Sequence, residues 1–209
     1  MTSSLARFVA VSATLLVGVG CGSNAPEIPD DIKGGAQGST GTEPGQIPKD
    51  ACFEGWPNPG AVGFAGSLQT ICIYDFHDPL GTRGGIELLL LNTSALWCQA
   101  CRQEHQTLGE EVTKFGPRGF RLVSLLFQDN ERNPAKVDHL TLWTRQYEVA
   151  FPMALDPNYL MGAYAPGDTA PLNLLLDARD SMRILKKWTG NQESVIWPAI
   201  ESELAARGR

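Results

Sequence analysis

Apolar residues along the chain fall in short blocks, and their pattern predicts strands and helices in alternation. Residues 86–92 contain four consecutive leucines, and residues 119–127 form a second apolar run. Runs of this kind are typical of strands that are buried on both faces of a sheet. Between them, residues 98–115 predict a helix.

The second half of the chain continues this alternation. A proline directly after Asn133 predicts the first turn of a helix whose apolar stripe includes Val137, Leu140 and Trp143. The other predicted elements are a mixed strand at 64–74, strands at 151–155, 172–176 and 184–188, and a helix at 193–207 with Pro198 in its first turn. This order predicts an α/β sheet that is covered on both faces.

The first 20 residues have the pattern of an export signal. Residues 8–20 are uncharged and largely apolar, follow a single charge at Arg7, and end just before Cys21. At about 13 residues, this stretch is too short for a stable membrane-spanning helix. Residues 1–20 resemble a bacterial lipoprotein signal in which Cys21 becomes lipid-modified, although Gly18 stands where Leu is usual. The alternative is a signal peptide that is cleaved without lipidation; both predict an extracytoplasmic protein.

Composition divides the rest of the chain into a tether and one domain. Residues 22–50 include six glycines, four prolines, five acidic residues and no aromatic residue, so residues 21–50 are predicted to be a disordered tether. Residues 51–209 are predicted to form a single domain. The formal net charge of -6 argues against a nucleic-acid partner.

Two cysteines three positions apart at the start of the 98–115 helix form the main candidate site. Unpaired backbone N–H groups at a helix start favour the thiolate of Cys98, which is therefore the predicted nucleophile. Cys101 is placed to attack a mixed disulfide on Cys98 and release the partner. A zinc site would need a second ligand pair, which the chain does not offer at a suitable spacing, and haem attachment would need His where Arg102 stands.

Residues 60–205 resemble the TlpA-like branch of the thioredoxin superfamily. The resemblance is carried by Asn92 six residues before Cys98, by Glu104 three residues after Cys101, by residues 151–156, and by Ala170-Pro171 before a strand. It implies a thioredoxin-like fold, with a central mixed β-sheet, helices on both faces and an N-terminal extension. It also implies a membrane-tethered thiol-disulfide oxidoreductase that acts as a reductase and needs no cofactor.

The resemblance assigns roles to further residues. It implies a cis peptide bond at Pro171, which together with Ala170 would lie beside the dithiol and bind an extended substrate segment. Independently of family, a proline just before a buried strand cannot be an ordinary ladder residue. Trp97 would shield one side of the dithiol and offer an apolar surface to partners. Glu104 would take the proton from Cys101 if burial raises its pKa; the alternative is a solvated carboxylate.

Two positions depart from the family pattern. The dipeptide between the cysteines is Gln99-Ala100, where a proline is common before the second cysteine, so the redox potential stays open. Gln106 replaces the proline that usually kinks the active-site helix, so this helix is expected to run straighter.

Cys52 and Cys72 lie outside the recognised motif. In an oxidising compartment, such a pair favours a structural disulfide, worth about 3 kcal/mol in the chain-entropy model. Two buried thiols, or a second redox pair that passes electrons to Cys98, remain as alternatives.

By analogy, the expected partners are disulfide-bearing exported proteins, such as apocytochrome c, and a membrane electron donor. One alternative is a peroxidase, which Ala95 disfavours because peroxiredoxins need Thr or Ser at that position. The other is a copper-delivery protein that binds Cu(I) through Cys98, Cys101 and His105.

Overall fold

The computed structural model of the protein describes residues 38–62, 67–167 and 169–209. The predicted signal peptide, Cys21 and the first part of the predicted tether lie outside these residues. Within the described ranges, no helix has both the length and the apolar composition needed to cross a bilayer.

The described chain forms seven strands and five α-helices. The strands are β1 (Cys52–Trp56), β2 (Gln69–Cys72), β3 (Leu88–Ala95), β4 (Phe120–Gln128), β5 (Met153–Leu155), β6 (Leu172–Asp177) and β7 (Ile184–Thr189). The helices are α1 (Pro59–Val62), α2 (Gln99–Glu104), α3 (Leu108–Phe115), α4 (Val137–Gln146) and α5 (Glu193–Ala206). Three short 3-10 helices occupy Ile73–Phe76, Gly116–Arg118 and Leu160–Tyr164.

The strands form one mixed sheet in the order β2-β1-β5-β4-β3-β6-β7. β3, β4 and β5 are parallel neighbours, while β6 and β7 pair antiparallel on one side of them, and β1 and β2 on the other. The leucine strand β3 is therefore central, as its unbroken apolar run predicted. The hairpin of β6 and β7 and the C-terminal helix also agree with the prediction.

The four leucines of β3 place side chains in the core on both faces of the sheet. Leu88 and Leu90 join the cluster under helices α2 to α5, and Leu89 and Leu91 join the cluster on the opposite face. β4 lies beside β3, and β5 lies on the far side of β4, so both connections step across the sheet in the same direction. Right-handed crossovers therefore place the connecting helices α2, α3 and α4 on the same face. Both faces are covered as predicted, but 3-10 helices and loops, rather than long α-helices, cover the second face.

The helix predicted at residues 98–115 does not run straight, so that expectation was wrong. It consists of α2 and α3, separated by a turn at residues 105–107. In this turn Gln106 N–H donates to the Gln103 carbonyl, and Thr107 donates to the Glu104 carbonyl through both its N–H and its Oγ1. The 3-10 turn and the threonine hydroxyl thus break the helix without a proline.

The start of α4 was also predicted wrongly. The helix begins at Val137, three residues after Pro134, which instead forms an isolated bridge with Gln128. Asn133 holds the loop before the helix, because its backbone and side-chain N–H groups donate to Asp129. Val137 is 42% exposed and does not belong to the buried stripe. Pro198 similarly lies inside α5, beyond its first turn.

Residues 38–50, here called the N-terminal strap, pack against the domain. Gly45 N–H donates to the Ile184 carbonyl, and Ile184 N–H donates to the Gln46 carbonyl, so the strap covers part of the free edge of β7. Ile47 packs on the second core cluster, and Pro48 is buried. These contacts correct the expectation of a disordered tether through residue 50, because residues 38–50 pack on the domain.

A chain that begins at Ala51 is expected to be less stable than one that begins at Gly38, by about 3 kcal/mol or more. It loses two backbone hydrogen bonds, each worth about 1 kcal/mol, and the packing of Ile47. Urea unfolding of both chains measures the difference. Glu43→Ala in the longer chain is the control, because its ion pair with Lys187 is exposed and contributes less. Equal unfolding midpoints for the two chains would show that the strap does not stabilise the domain.

Candidate dithiol active site

The chain leaves the end of β3 and places Cys98 at the N-cap of α2. Cys98 and Cys101 form a disulfide, with sulfurs 2.07 Å apart, so the structure represents the oxidised site. Cys98 is 3% exposed and Cys101 is fully buried. The backbone N–H of Cys101 donates to Cys98 Sγ over 3.1 Å. A donor at this sulfur stabilises the Cys98 thiolate, whereas burial disfavours a thiolate on Cys101.

Glu104 lies one helical turn beyond Cys101 and is 1% exposed. Its Oε2 accepts a hydrogen bond from Asn92 Nδ2 at 2.9 Å, and its Oε1 accepts one from Asn173 Nδ2 at 3.0 Å. Burial raises the pKa of Glu104 to about 7, and the negative charge of Glu193 adds to this effect, while the two amide donors oppose it. The carboxyl group can therefore gain and lose a proton near neutral pH.

Asn92 holds the Glu104 carboxylate in place from the sheet. The hydroxyls of Ser94 and Ser124 lie 3.1 and 3.0 Å from its Oδ1, which can only accept. Its Nδ2 donates to Asn173 as well as to Glu104. Because hydroxyl donors occupy the oxygen side of the amide, its NH₂ group must face the carboxylate. The resemblance pointed to Asn92, but no sequence signal pointed to Asn173 or the serines.

His105 is buried with both ring nitrogens engaged. Nδ1 lies 3.0 Å from the Cys101 carbonyl oxygen, which can only accept, and Nε2 lies 3.1 Å from Ser124 Oγ. Burial lowers the pKa of His105 to about 4, so the ring is neutral and donates through Nδ1. Nε2 is then an acceptor, and the single hydroxyl proton of Ser124 can point either to Nε2 or to Asn92 Oδ1. Its ring packs against Trp143 and Tyr147. Copper binding by His105 with the dithiol would therefore require the contact of at least one ring nitrogen to break.

Potential metal ligands come together elsewhere among the described residues. The one group of three ligand atoms that lie close together there is formed by Asp50, Cys52 and Cys72. The two sulfurs of this group are already bonded to each other, which leaves a single carboxylate and no thiolate ligand.

An aromatic row, formed by Trp97, Phe127 and Tyr159, borders the dithiol. The Trp97 ring meets the Phe127 ring edge-on with centroids 6.3 Å apart, and Phe127 stacks on Tyr159 at 4.0 Å. Trp97 Nε1 donates to Gln128 Oε1, and the Tyr159 hydroxyl donates to the Thr169 carbonyl. The row thus extends from the residue before Cys98 to the segment before Pro171.

Arg132 and Tyr159 are site residues that the sequence did not reveal. The guanidinium carbon of Arg132 lies 4.3 Å from the centroid of the Trp97 ring. Both residues lie in loops and have positive φ angles of 66° and 48°, so neither follows a helix or strand period. They are identified only by their contacts: Arg132 lies over Trp97, and Tyr159 stacks on Phe127, which in turn contacts Trp97.

The Ala170–Pro171 peptide bond is cis, as predicted. Ala170 packs against the core cluster that contains both Cys98 and Cys101. Thr93 connects the two regions, because its carbonyl oxygen lies 3.9 Å from Cys101 Sγ and its hydroxyl accepts from Leu172 N–H at 3.0 Å. The predicted site residues around Cys98, from Trp97 to Pro171, therefore come together at one end of the sheet.

The structure joins Cys52 and Cys72 in a disulfide between directly opposed positions of β1 and β2. β5 and β4 lie between β1 and β3, the strand that leads to the dithiol. Strand spacing places β1 about 14 Å from β3, so direct exchange between the two cysteine pairs would require a rearrangement of the sheet. This arrangement supports the structural alternative over an electron relay.

No protein-family model matches the chain. Among solved structures, a candidate thiol:disulfide interchange protein DsbE from Chlorobium tepidum is similar, with 20% identity and a TM-score of 0.58; the match covers 80% of this chain and 98% of that chain. A secreted thiol-disulfide isomerase from Corynebacterium glutamicum is 16% identical with a TM-score of 0.56, and the match covers 77% of this chain and 86% of that chain. These similarities show that the chain has a thioredoxin-like fold.

Proposed function

We propose that the protein is a thiol-disulfide oxidoreductase that uses Cys98 as nucleophile and Cys101 as resolving thiol. The observation that carries this proposal is the asymmetry of the pair: Cys98 Sγ receives a backbone hydrogen bond, whereas Cys101 is fully buried one turn from Glu104. One sulfur is prepared as a thiolate, and the other has a proton acceptor on the same helix.

The reduced protein would act in two steps. The Cys98 thiolate attacks one sulfur of a partner disulfide, so that a mixed disulfide forms and the partner's other sulfur leaves as a thiolate. Cys101 then gives its proton to the Glu104 carboxylate and attacks Cys98 Sγ, and the second partner sulfur leaves. Two electrons pass to the partner, and the protein ends with the Cys98–Cys101 disulfide that the structure contains.

The proposed setting is the cell envelope, with the protein anchored through lipidated Cys21. The signal pattern supports this setting, and so does the Cys52–Cys72 disulfide, because such bonds persist in oxidising compartments. The proposed direction is reduction of disulfides in exported proteins, such as apocytochrome c, with a membrane electron donor that returns two electrons. The similar secreted isomerase from C. glutamicum is consistent with work outside the cytoplasm.

The reduction potential of the Cys98/Cys101 pair tests the proposed direction. It is measured by thiol alkylation of the chain from residue 38 onward after equilibration in graded dithiol buffers. A potential near about -270 mV, as in thioredoxin, is the expected result for a reductase. A potential near about -120 mV would make the protein a disulfide donor instead and would overturn the reductase assignment.

A further inference from the structure

Arg132 occupies an unusual position for a charged side chain in this acidic protein. It is exposed, it lies over Trp97, and it forms no ion pair with an acidic side chain of the described residues. The chain has 23 acidic residues and 17 basic ones, so an arginine over Trp97 with no acidic partner among the described residues is a local exception to the overall charge.

The loop before α4 holds Arg132 in this place. The Asp129 carboxylate accepts the backbone N–H groups of Glu131 and Asn133, and Arg132 N–H donates to the Asp129 carbonyl. Asp129 is thus committed to the loop and does not neutralise the guanidinium. Glu131 is the neighbouring exposed acid, and no ion pair joins it to Arg132 in the described part of the chain.

The guanidinium keeps its hydrogen-bonding capacity in this arrangement. The contact with Trp97 engages the ring's π face and uses none of the guanidinium's N–H donors in a hydrogen bond to another described residue. The fork of a guanidinium matches a carboxylate in bidentate geometry. Trp97 is itself fixed by its hydrogen bond to Gln128, so the guanidinium lies over a fixed indole ring, and this ring belongs to the residue before Cys98.

The buried nucleophile determines where a partner must lie. Cys98 is 3% exposed, so a partner disulfide can reach its sulfur only by lying against the surrounding surface. The aromatic row forms the apolar part of that surface, and Arg132 supplies the charge at its Trp97 end. Consider an extended partner segment that crosses the aromatic row toward Pro171. A side chain located within about two residues of the partner's cysteine would then reach the Arg132 guanidinium.

We infer that Arg132, held over Trp97, docks a carboxylate side chain that lies within about two residues of the disulfide cysteine in an extended segment of a partner protein. The inference rests on the proposed oxidoreductase function and adds a charge preference to it. The aromatic row contacts the apolar part of the same segment, and the acidic side chain fixes its direction across the dithiol.

The test uses short peptides, each closed by an internal disulfide and identical except for Asp, Asn or Lys beside one cysteine. The reduced protein is mixed with each peptide, and the second-order rate constant is divided by that of the same variant with neutral bis(2-hydroxyethyl) disulfide. This division removes any effect of a variant on the intrinsic reactivity of Cys98. We expect the Asp peptide to react about fivefold faster than the Lys peptide at low salt, with a smaller ratio at high salt.

Arg132→Glu is expected to reverse the order of the Asp and Lys peptides, and Arg132→Gln to bring their ratio close to one. Arg102→Gln is the matched control, since it removes an exposed arginine of α2 whose charge acts on Tyr147; its ratio is expected to equal that of the wild type. A wild-type ratio of one, or a ratio that Arg132→Glu leaves unchanged, would overturn the inference. A wild type that fails to reduce even the neutral disulfide would overturn the proposed function instead.

Discussion

Cys98→Ser is expected to lower the rate of disulfide exchange by about 10³-fold or more, because a serine hydroxyl is neither ionised at neutral pH nor able to form a disulfide. The backbone N–H of Cys101 would still point at residue 98, but no thiolate would be there to receive it. Single-turnover reduction of a model disulfide by the pre-reduced variant measures the loss.

Cys101→Ser is expected to have a different result, because Cys98 can still attack. The mixed disulfide would form and accumulate, since no buried thiol is present to release the partner. Non-reducing electrophoresis of intact cells that express the variant would detect the covalent complexes.

The control for both variants is the double substitution Cys52→Ala/Cys72→Ala, which removes the distant disulfide but leaves the dithiol intact. This control is expected to exchange disulfides and to trap no partner. The assignment of Cys98 as nucleophile would be contradicted if Cys98→Ser exchanged disulfides as fast as the wild type. It would also be contradicted if partners were trapped through Cys52 or Cys72.

Glu104→Gln is expected to slow the release of the partner by about 10²-fold, because Cys101 loses its proton acceptor. In the wild type, the rate of release should rise with pH and level off above the pKa of Glu104, at about 7, since only the carboxylate can accept the proton. The variant should lack this inflection. Stopped-flow measurement of the decay of a preformed mixed disulfide between about pH 5 and 9 follows this step alone.

Glu193→Gln provides the matched control for that profile. Glu193 lies at the start of α5 with its carboxylate beside the Thr107 hydroxyl, and its negative charge raises the pKa of Glu104. Its removal should move the inflection to lower pH and keep the maximal rate. An inflection that persists in Glu104→Gln would assign the proton transfer to another group.

The same carboxyl group makes stability depend on pH in a defined direction. Burial raises the pKa of Glu104 from 4.5 to about 7, so between these values the folded state binds more protons than the unfolded state. The stability due to the protonated form is complete below about pH 4.5 and is lost as the pH rises through about 7. Relative to Glu104→Gln, the wild type should therefore lose stability across this range.

The parts of the fold that could be predicted are those whose signal is local in sequence. The leucines of β3 indicate a central strand, because a strand that is buried on both faces has a continuous apolar run and no alternation of polar and apolar residues. The dithiol follows from the spacing of Cys98 and Cys101 at a helix start. The break between α2 and α3 was not predicted, because Thr107, rather than a proline, forms the turn between the two helices.

The parts that could not be predicted depend on contacts between residues that are distant in sequence. Asn173 lies 69 residues from Glu104, whose carboxylate it binds, and no periodicity connects the two positions. Arg132 reaches Trp97 only because Asp129 fixes an irregular loop. The N-terminal strap has the composition of a disordered chain, and its order comes from tertiary contacts with β7.

The strap has one more consequence, for the behaviour of the protein at high local density. An edge strand presents unpaired N–H and C=O groups on which a second copy can add a strand. At β7 the strap occupies both backbone groups of Ile184, and Lys187 beside it is paired with Glu43. Molecules crowded together on a surface therefore meet at an edge whose pairing positions are partly filled by their own chain, which disfavours strand-to-strand association between neighbours.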